Sequence, residues 1–185
     1  MRVIGGRLGG RRLRAPRGTA TRPTSDRVRE ATFAMLGDMQ GASVLDLFAG
    51  TGALGIEALS RGAIRAVFVE RDARALRALR ANLDSLELSQ PHAEVREADA
   101  LAALRSARRR RETYDLVFID PPYRQLPALE RALGDLLPAL LAPAARVVLE
   151  SDKRMQLSLG EGAGGLEIGQ QRRYGDTTIT IHNYP

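Results

Sequence analysis

The stretch Asp115-Leu-Val-Phe-Ile-Asp-Pro-Pro-Tyr123 governs how the whole chain is read. Its middle, Leu116 to Ile119, is a continuous apolar run, the pattern of a central parallel strand covered on both faces. The strand stops at Asp120, because Pro121 and Pro122 have no N–H for a ladder and Pro122 drives residue 121 toward an extended conformation. The chain therefore leaves the sheet stiffly. It presents backbone carbonyls, one carboxylate and the Tyr123 ring at the carboxyl end of a strand, where open α/β sheets bind ligands. Taken alone, Asp-Pro-Pro-Tyr is a strand-to-loop turn. A glycine-rich loop about seventy residues upstream, in the same kind of position, gives it a second meaning.

That loop is Val44-Leu-Asp-Leu-Phe-Ala-Gly-Thr-Gly-Ala-Leu-Gly55, a strand, a tight turn and a helix start. Gly50, Gly52 and Gly55 satisfy the dinucleotide pattern G-x-G-x-x-G, which alone is a weak signal. Two features point away from a nicotinamide cofactor. Asp46 lies just before the turn, ill-suited to a pyrophosphate but well suited to a cation, and Asp120-Pro-Pro-Tyr123 has no role in hydride transfer. S-adenosylmethionine fits both: it has no phosphate, carries a sulfonium and an ammonium, and needs close backbone approach, which glycine permits. Glu70, at the end of the second strand, is placed to accept from both ribose hydroxyls or, on the plainer reading, to pair with Arg71 or Arg74. Asp99, ending the third βα unit, suits either the adenine amino group or a helix N-cap.

Around these two stretches the pattern is regular. Strand-like runs begin near Val44, Ala66, Ala93, Leu116 and Ala145 and are separated by helical segments, the mark of βαβ units and a doubly wound sheet. A helix from Ser25 or Asp26 to about Met39, closed by Gly41, precedes them, with Val28, Ala31, Thr32, Met35, Leu36 and Met39 as its apolar stripe. Leu76, Leu79, Leu83 and Leu86 make the clearest buried stripe; Leu129, Leu133, Leu136 and Leu140 make another after Pro127. The third strand is expected over His92 to Arg96. Leu166 to Tyr174 and Thr177 to Tyr184 meet at Gly175-Asp176, so the sheet ends in an antiparallel hairpin.

Composition sets the remaining bounds. At 185 residues the chain fits one domain plus a small appendage, and no apolar run reaches the length of a membrane span. Without a signal-like N-terminus a cytoplasmic protein is expected. The absence of cysteine removes disulfides, zinc–thiolate sites and thiol nucleophiles. The formal charge is +6, and residues 1–22 carry seven arginines and no acid. A basic segment of this kind suggests a polyanionic partner, most simply nucleic acid, or else a solvated arm. Residues 1–14 read as a small hairpin or irregular extension with little core, Pro16 to Pro23 as a linker, and Arg108 to Arg111 as a solvated loop or else a nucleic-acid contact. Arg2, Arg7, Arg11 and Arg12, with Arg22 and Arg27 nearer the glycine loop and acidic tip, are the candidates to grip a nucleic-acid backbone. His92 and His182 have no metal-ligand neighbours, so no metal is expected.

Asp46-Leu-Phe-Ala-Gly-Thr-Gly-Ala-Leu-Gly55, Glu70 and Asp120-Pro-Pro-Tyr123, in that order, resemble the class I methyltransferases that act on exocyclic amines. Four further stretches are similar, more narrowly, to the bacterial 16S rRNA guanine-N2 methyltransferases of the RsmD type. These are Arg2-Val-Ile-Gly-Gly-Arg7, Arg22-Pro-Thr-Ser-Asp-Arg-Val-Arg-Glu30, Leu59-Ser-Arg-Gly-Ala63 and Arg173-Tyr-Gly-Asp-Thr177. The resemblance spans nearly the whole chain; Lys153 to Gly165 is its least family-like part.

The resemblance implies an α/β fold, Rossmann-like and doubly wound, with a mainly parallel seven-stranded sheet. It implies a basic extension over residues 1–22 on an S-adenosyl-L-methionine-dependent domain over residues 23–185. Asp46, Phe48, Gly50, Thr51, Gly52, Gly55, Glu70, Asp99 and Ala100 would bind the cofactor. Asp120 and the Pro121 carbonyl would accept hydrogen bonds from the guanine amine, with Pro122 stiffening the tip and Tyr123 stacking on an extruded base. The expected partner is 16S rRNA in a small ribosomal subunit or an assembly intermediate, and the expected state is a monomer. The rival readings are an adenine-N6 methyltransferase, for which 185 residues leave little room for a target-recognition insertion, and a non-catalytic RNA-binding module. Glutamine methylation of proteins uses a related tip but prefers Asn where this chain has Asp120.

Overall fold

In the computed structural model, which describes residues 1–15, 25–121, 126–152, 159 and 165–185 and only the backbone at 126–128 and 152, the apolar runs become seven strands. They are β1 (Ser43–Asp46), β2 (Arg65–Glu70), β3 (Ala93–Glu97), β4 (Tyr114–Ile119), β5 (Leu141–Asp152), β6 (Glu167–Tyr174) and β7 (Thr177–Asn183). They form one sheet in the order β3-β2-β1-β4-β5-β7-β6. The first five pair in parallel, while β7 runs antiparallel to both β5 and β6. The antiparallel ending thus holds, with β7 inserted between β5 and β6. The strand order reverses between β1 and β4, so the crevice for a ligand opens at their carboxyl ends.

Helices α1 (Asp26–Leu36), α2 (Ala53–Ser60) and α3 (Ala73–Ser85) cover one face of the sheet, and α4 (Ala100–Arg109) and α5 (Leu126–Leu136) the other. The leucine stripe of α3 is buried as its spacing demands, and Leu129, Leu133 and Leu140 are buried on the opposite side. No helix among the described residues is long and apolar enough to cross a membrane.

Four expectations shift, the first being that Arg108 and Arg109, read as loop, continue the amphipathic run of Ala100, Ala103, Leu104 and Ala107 as the last turn of α4. Helix α1 is capped by the Ser25 hydroxyl, which accepts from Val28 N, but it ends at Leu36 rather than Met39. The reason is Gly37, whose φ of 69° breaks the helix and whose N–H closes on Phe33 O. The third strand is displaced by one residue, to Ala93–Glu97. The N-terminal segment, expected to add little core, instead buries Val3, Leu8 and Leu13 at 1%, 9% and 6% exposure, packed with α1 and α2. It folds as a short 3-10 turn over Gly6–Leu8 closed by an antiparallel bridge between Arg2 and Arg12. The linker at 16–23 and most of 153–165 lie outside the described residues.

Candidate active site at the carboxyl edge of the sheet

The turn after β1 is threaded between its neighbours: Leu47 N donates to Phe118 O at 3.0 Å and Ala49 N to Val69 O at 3.0 Å. Its glycines do different work. A Cβ on Gly52, where φ is 81°, would stand 2.4 Å from Leu79 Cδ1, and one on Gly55 would stand 2.4 Å from Phe68 Cε1. Those two let α2 lie close on the sheet. Gly50, at φ 55°, has nothing among the described residues within 4.0 Å of where a Cβ would be except Phe48 O, so the backbone there is open to a ligand.

Gly50 N donates to Glu70 Oε2 at 2.8 Å, while Glu70 Oε1 accepts from Arg71 N at 2.7 Å and Asp72 N at 2.8 Å. The Glu70 carboxylate is therefore held against the turn by backbone rather than by Arg71 or Arg74 side chains, with acceptor capacity to spare. Asp46 is 2% exposed, and its Oδ2 accepts from Gly55 N at 3.0 Å inside the first turn of α2. Burial pushes its carboxyl up to about 7, the Gly55 bond opposes this, and the Glu70 charge adds to it. Phe48 is half-buried against the α4 side, and Ala100 is buried. Asp99 is exposed and caps α4, accepting from Leu101 N at 3.0 Å and Ala102 N at 3.4 Å, with Arg71 Nη1 3.2 Å from its other oxygen. The N-cap reading is thus realised.

One strand over, β4 ends at Ile119, and Asp120 is half-buried beside a buried Pro121. Burial raises the Asp120 carboxyl well above the ordinary range, and the charges of Glu150 and Asp46 raise it further. Glu150, 9% exposed, follows Leu149, the register partner of Ile119. Sequence reasoning passed over it, although it closes the apolar run of Val147, Val148 and Leu149 just as Glu70 closes that of β2. Pro122, Tyr123 and Arg22 lie outside the described residues. No group of three or more His, Cys, Asp or Glu side chains that could hold a metal occurs among the described residues.

The arginines of the N-terminal arm, Arg2, Arg7, Arg11 and Arg12, are exposed, as is Arg27 on α1. What holds the arm is a set of buried polar side chains that the sequence reading missed. Glu57 on α2, 1% exposed, accepts from Ile4 N at 2.7 Å and Gly5 N at 2.9 Å. Ser60 Oγ accepts from Leu8 N at 2.9 Å and donates to Gly5 O. Gly6, at φ 72°, passes so close that a Cβ would lie 1.9 Å from Ser60 O. Arg29, fully buried, donates to Arg2 O and to Asp26.

Asn82 on α3, fully buried, joins the arm to the glycine turn. Its Oδ1 accepts from Arg14 N at 2.7 Å, and its Nδ2 donates to Arg14 O at 3.1 Å and to Thr51 O at 2.9 Å. The available signal was a polar residue inside an apolar stripe, between Leu79 and Leu83, which must find partners when buried.

The model of a family described as conserved hypothetical protein 95 matches residues 1–183. The chain is 42% identical over 185 residues to YlbH of Bacillus subtilis, a candidate rRNA methyltransferase by its name, covering 98% of each chain. It is 36% identical over 155 residues to ribosomal RNA small subunit methyltransferase D of Haemophilus influenzae, covering 83% of this chain and 79% of the relative. Among solved structures, yhhF of Escherichia coli, a candidate methyltransferase, matches with a TM-score of 0.81 and 31% identity over 100% of this chain and 97% of the other. The fold alone is shared with an RNA methyltransferase of Salinibacter ruber in complex with S-adenosyl-L-homocysteine, at 21% identity, a TM-score of 0.67 and coverage of 89% and 94%.

Proposed function

The chain belongs to the RsmD-type methyltransferase family, and from that premise we propose that it transfers a methyl group from S-adenosyl-L-methionine to the exocyclic N2 amine of a guanine in 16S rRNA. The observation that carries this reading is the juxtaposition, on neighbouring strands β1 and β4, of an open glycine turn backed by Glu70 and an acidic tip at Asp120–Pro121.

The turn fits the cofactor: Gly50 leaves its backbone uncovered, and Glu70 keeps acceptor capacity for ribose hydroxyls. Asp99 and Ala100, at the start of α4, would read the adenine ring, and Phe48, Thr51, Gly52 and Gly55 would shape the turn beneath it. Asp46 would balance positive charge, since a nearby cation favours its ionised form. When bound, S-adenosyl-L-methionine supplies an electrophilic methyl carbon on a sulfonium.

The chain's own residues then orient the acceptor. A guanine amine is a poor nucleophile because its lone pair is delocalised into the ring. The Asp120 carboxylate and the Pro121 carbonyl, accepting from its two hydrogens, draw the nitrogen toward a tetrahedral shape and free that lone pair. With the cofactor's positive charge nearby favouring its ionised form, Asp120, whose proton affinity is raised by burial and acidic neighbours, is suited to take the released proton. Tyr123 would stack on the extruded base, worth about 1–3 kcal/mol. Residues 1–22 serve as the rRNA-gripping extension and residues 23–185 as the transferase domain, in a cytoplasmic monomer acting on the small subunit or its assembly intermediate.

The test is methyl transfer from labelled cofactor to small ribosomal subunits, naked 16S rRNA and DNA, followed by nucleoside analysis. N2-methylguanosine from the rRNA is expected. N6-methyladenine overturns the guanine assignment, and no transfer to any of the three overturns the enzyme reading.

A further inference from the structure

The terminal stretch Arg173-Tyr-Gly-Asp-Thr177 has no part in the site as described, yet the topology brings it to the same edge. Strand β6 pairs antiparallel with β7, and β7 with β5, so β6 runs in the same direction as β4 and β5. Its last residues emerge where Asp120 does. The register gives the spacing: Ile119 lies beside Leu149, so Asp120 is level with Glu150; Glu150 pairs with Ile179, and Ile179 with Arg172. Three strand spacings of about 4.8 Å put the Arg172 backbone roughly 14 Å from that of Asp120. Arg173 and Tyr174 reach further past the edge.

The tip is both anchored and basic. Tyr174 packs against the core cluster that contains α1 and the N-terminal arm. Alternation along a strand puts Arg172 on that same face of the sheet and Arg173 on the other, where its Nε donates to Gly175 O at 3.1 Å and its two terminal nitrogens extend from the turn. Arg172 and Arg173 are exposed, and neither is ion-paired with an acid among the described residues; Asp176 is the acid beside them on the turn. The arm sits over α2 and α3, toward β2 and β3, and the hairpin tip lies at the opposite end of the strand order, with Asp120 between them.

We infer that Arg172 and Arg173 form a second rRNA-binding point, gripping backbone phosphates on the side of the target base away from the arm, so that single-stranded rRNA is held on both sides of Asp120. The inference rests on the rRNA reading above, and the arginines act as positioning residues for the substrate.

The experiment compares two charge-matched variants of the full chain. One is Arg172→Ala with Arg173→Ala. The other is Arg108→Ala with Arg109→Ala, which removes two exposed arginines from the last turn of α4, at the opposite edge of the sheet. For the hairpin variant, KM for small subunits should rise about five- to tenfold, and the salt slope of rRNA binding should fall by about 1.4, at about 0.7 per single-strand phosphate contact. Its S-adenosyl-L-homocysteine affinity and unfolding midpoint should match wild type, and the α4 variant should stay within about twofold of wild type in KM. Equal effects in the two variants would reduce the result to net charge and overturn the inference, as would a hairpin variant with wild-type KM and slope. A wild-type protein that neither binds nor methylates rRNA overturns the underlying reading as well, and is recognised before any variant is made.

Discussion

At the carboxyl edge of the sheet, Asp46 and Glu150 are 2% and 9% exposed, with Asp120 half-buried between their strands. Along the N-terminal arm the arrangement is inverted: Arg2, Arg7, Arg11 and Arg12 are exposed, and the backbone between and beyond them, at Ile4, Gly5, Leu8 and Arg14, is fastened down by Glu57, Ser60 and Asn82. Desolvation therefore shapes Asp46 and Asp120. Crowded, dehydrated carboxylates gain from a cation placed among them, whereas exposed arginines suit a long-range, salt-sensitive grip. On the proposed function, the first region would hold a small cationic ligand and the second a polyanion.

The hardest test of that contrast is Asp120→Asn. It keeps the shape of the tip and removes its charge, so methyl transfer should fall on the order of 10²-fold or more while S-adenosyl-L-homocysteine still binds. A near-normal turnover rate by labelled-methyl assay would leave the acidic tip without a catalytic role. Asn82→Ala, at the junction of the two regions, should be next: it removes the partner of Arg14 N–H and of the Thr51 carbonyl, both part-buried, at about 1 kcal/mol for each bond lost. Unlike changes confined to either region, it should weaken both cofactor and rRNA binding in calorimetric titrations. Loss of only one would show that the link carries nothing between them.

Arg7→Ala with Arg11→Ala probes the arm alone. rRNA affinity should drop at low salt, and the slope against log salt should flatten by about 1.4, with cofactor affinity unchanged; an unaltered slope removes these arginines from the interface. The mildest effect is the pH dependence of Asp46→Asn. Because burial lifts the Asp46 carboxyl to about 7, the favourable contribution of its neutral form is complete below about pH 4 and is lost as pH rises through about 7. Melting curves without ligand should therefore show the Asn variant gaining on wild type from pH 5 to pH 8, yet binding cofactor more weakly at pH 8. Equal gains at both pH values would mean that Asp46 does not titrate there.

The parts legible in the sequence are those whose physics is local. An apolar run ended by Asp120-Pro-Pro marks a central strand and its exit; glycines at positions 50, 52 and 55 mark a turn that must hug the sheet; the leucines of α3 declare their buried face. Asp99 shows the limit: the same side chain suits a cap or a ligand, and only the fold shows that it caps α4. Glu57, Ser60, Asn82 and Arg29 were opaque for a further reason. Their partners are mostly backbone groups of a segment more than fifty residues distant or in another element, and nothing in a helix's own periodicity says which loop will come to lie on it. The same blindness hid the core contribution of the arm, since Val3, Leu8 and Leu13 follow no regular period.

Asn82 also sets an order of assembly. It joins Arg14, 68 residues before it, to Thr51, 31 before it, so the stretch at residue 14 cannot be fastened to the glycine turn until α3 is in place. On refolding, pulse-labelling hydrogen exchange should find the Arg14 amide protected no earlier than those of α3.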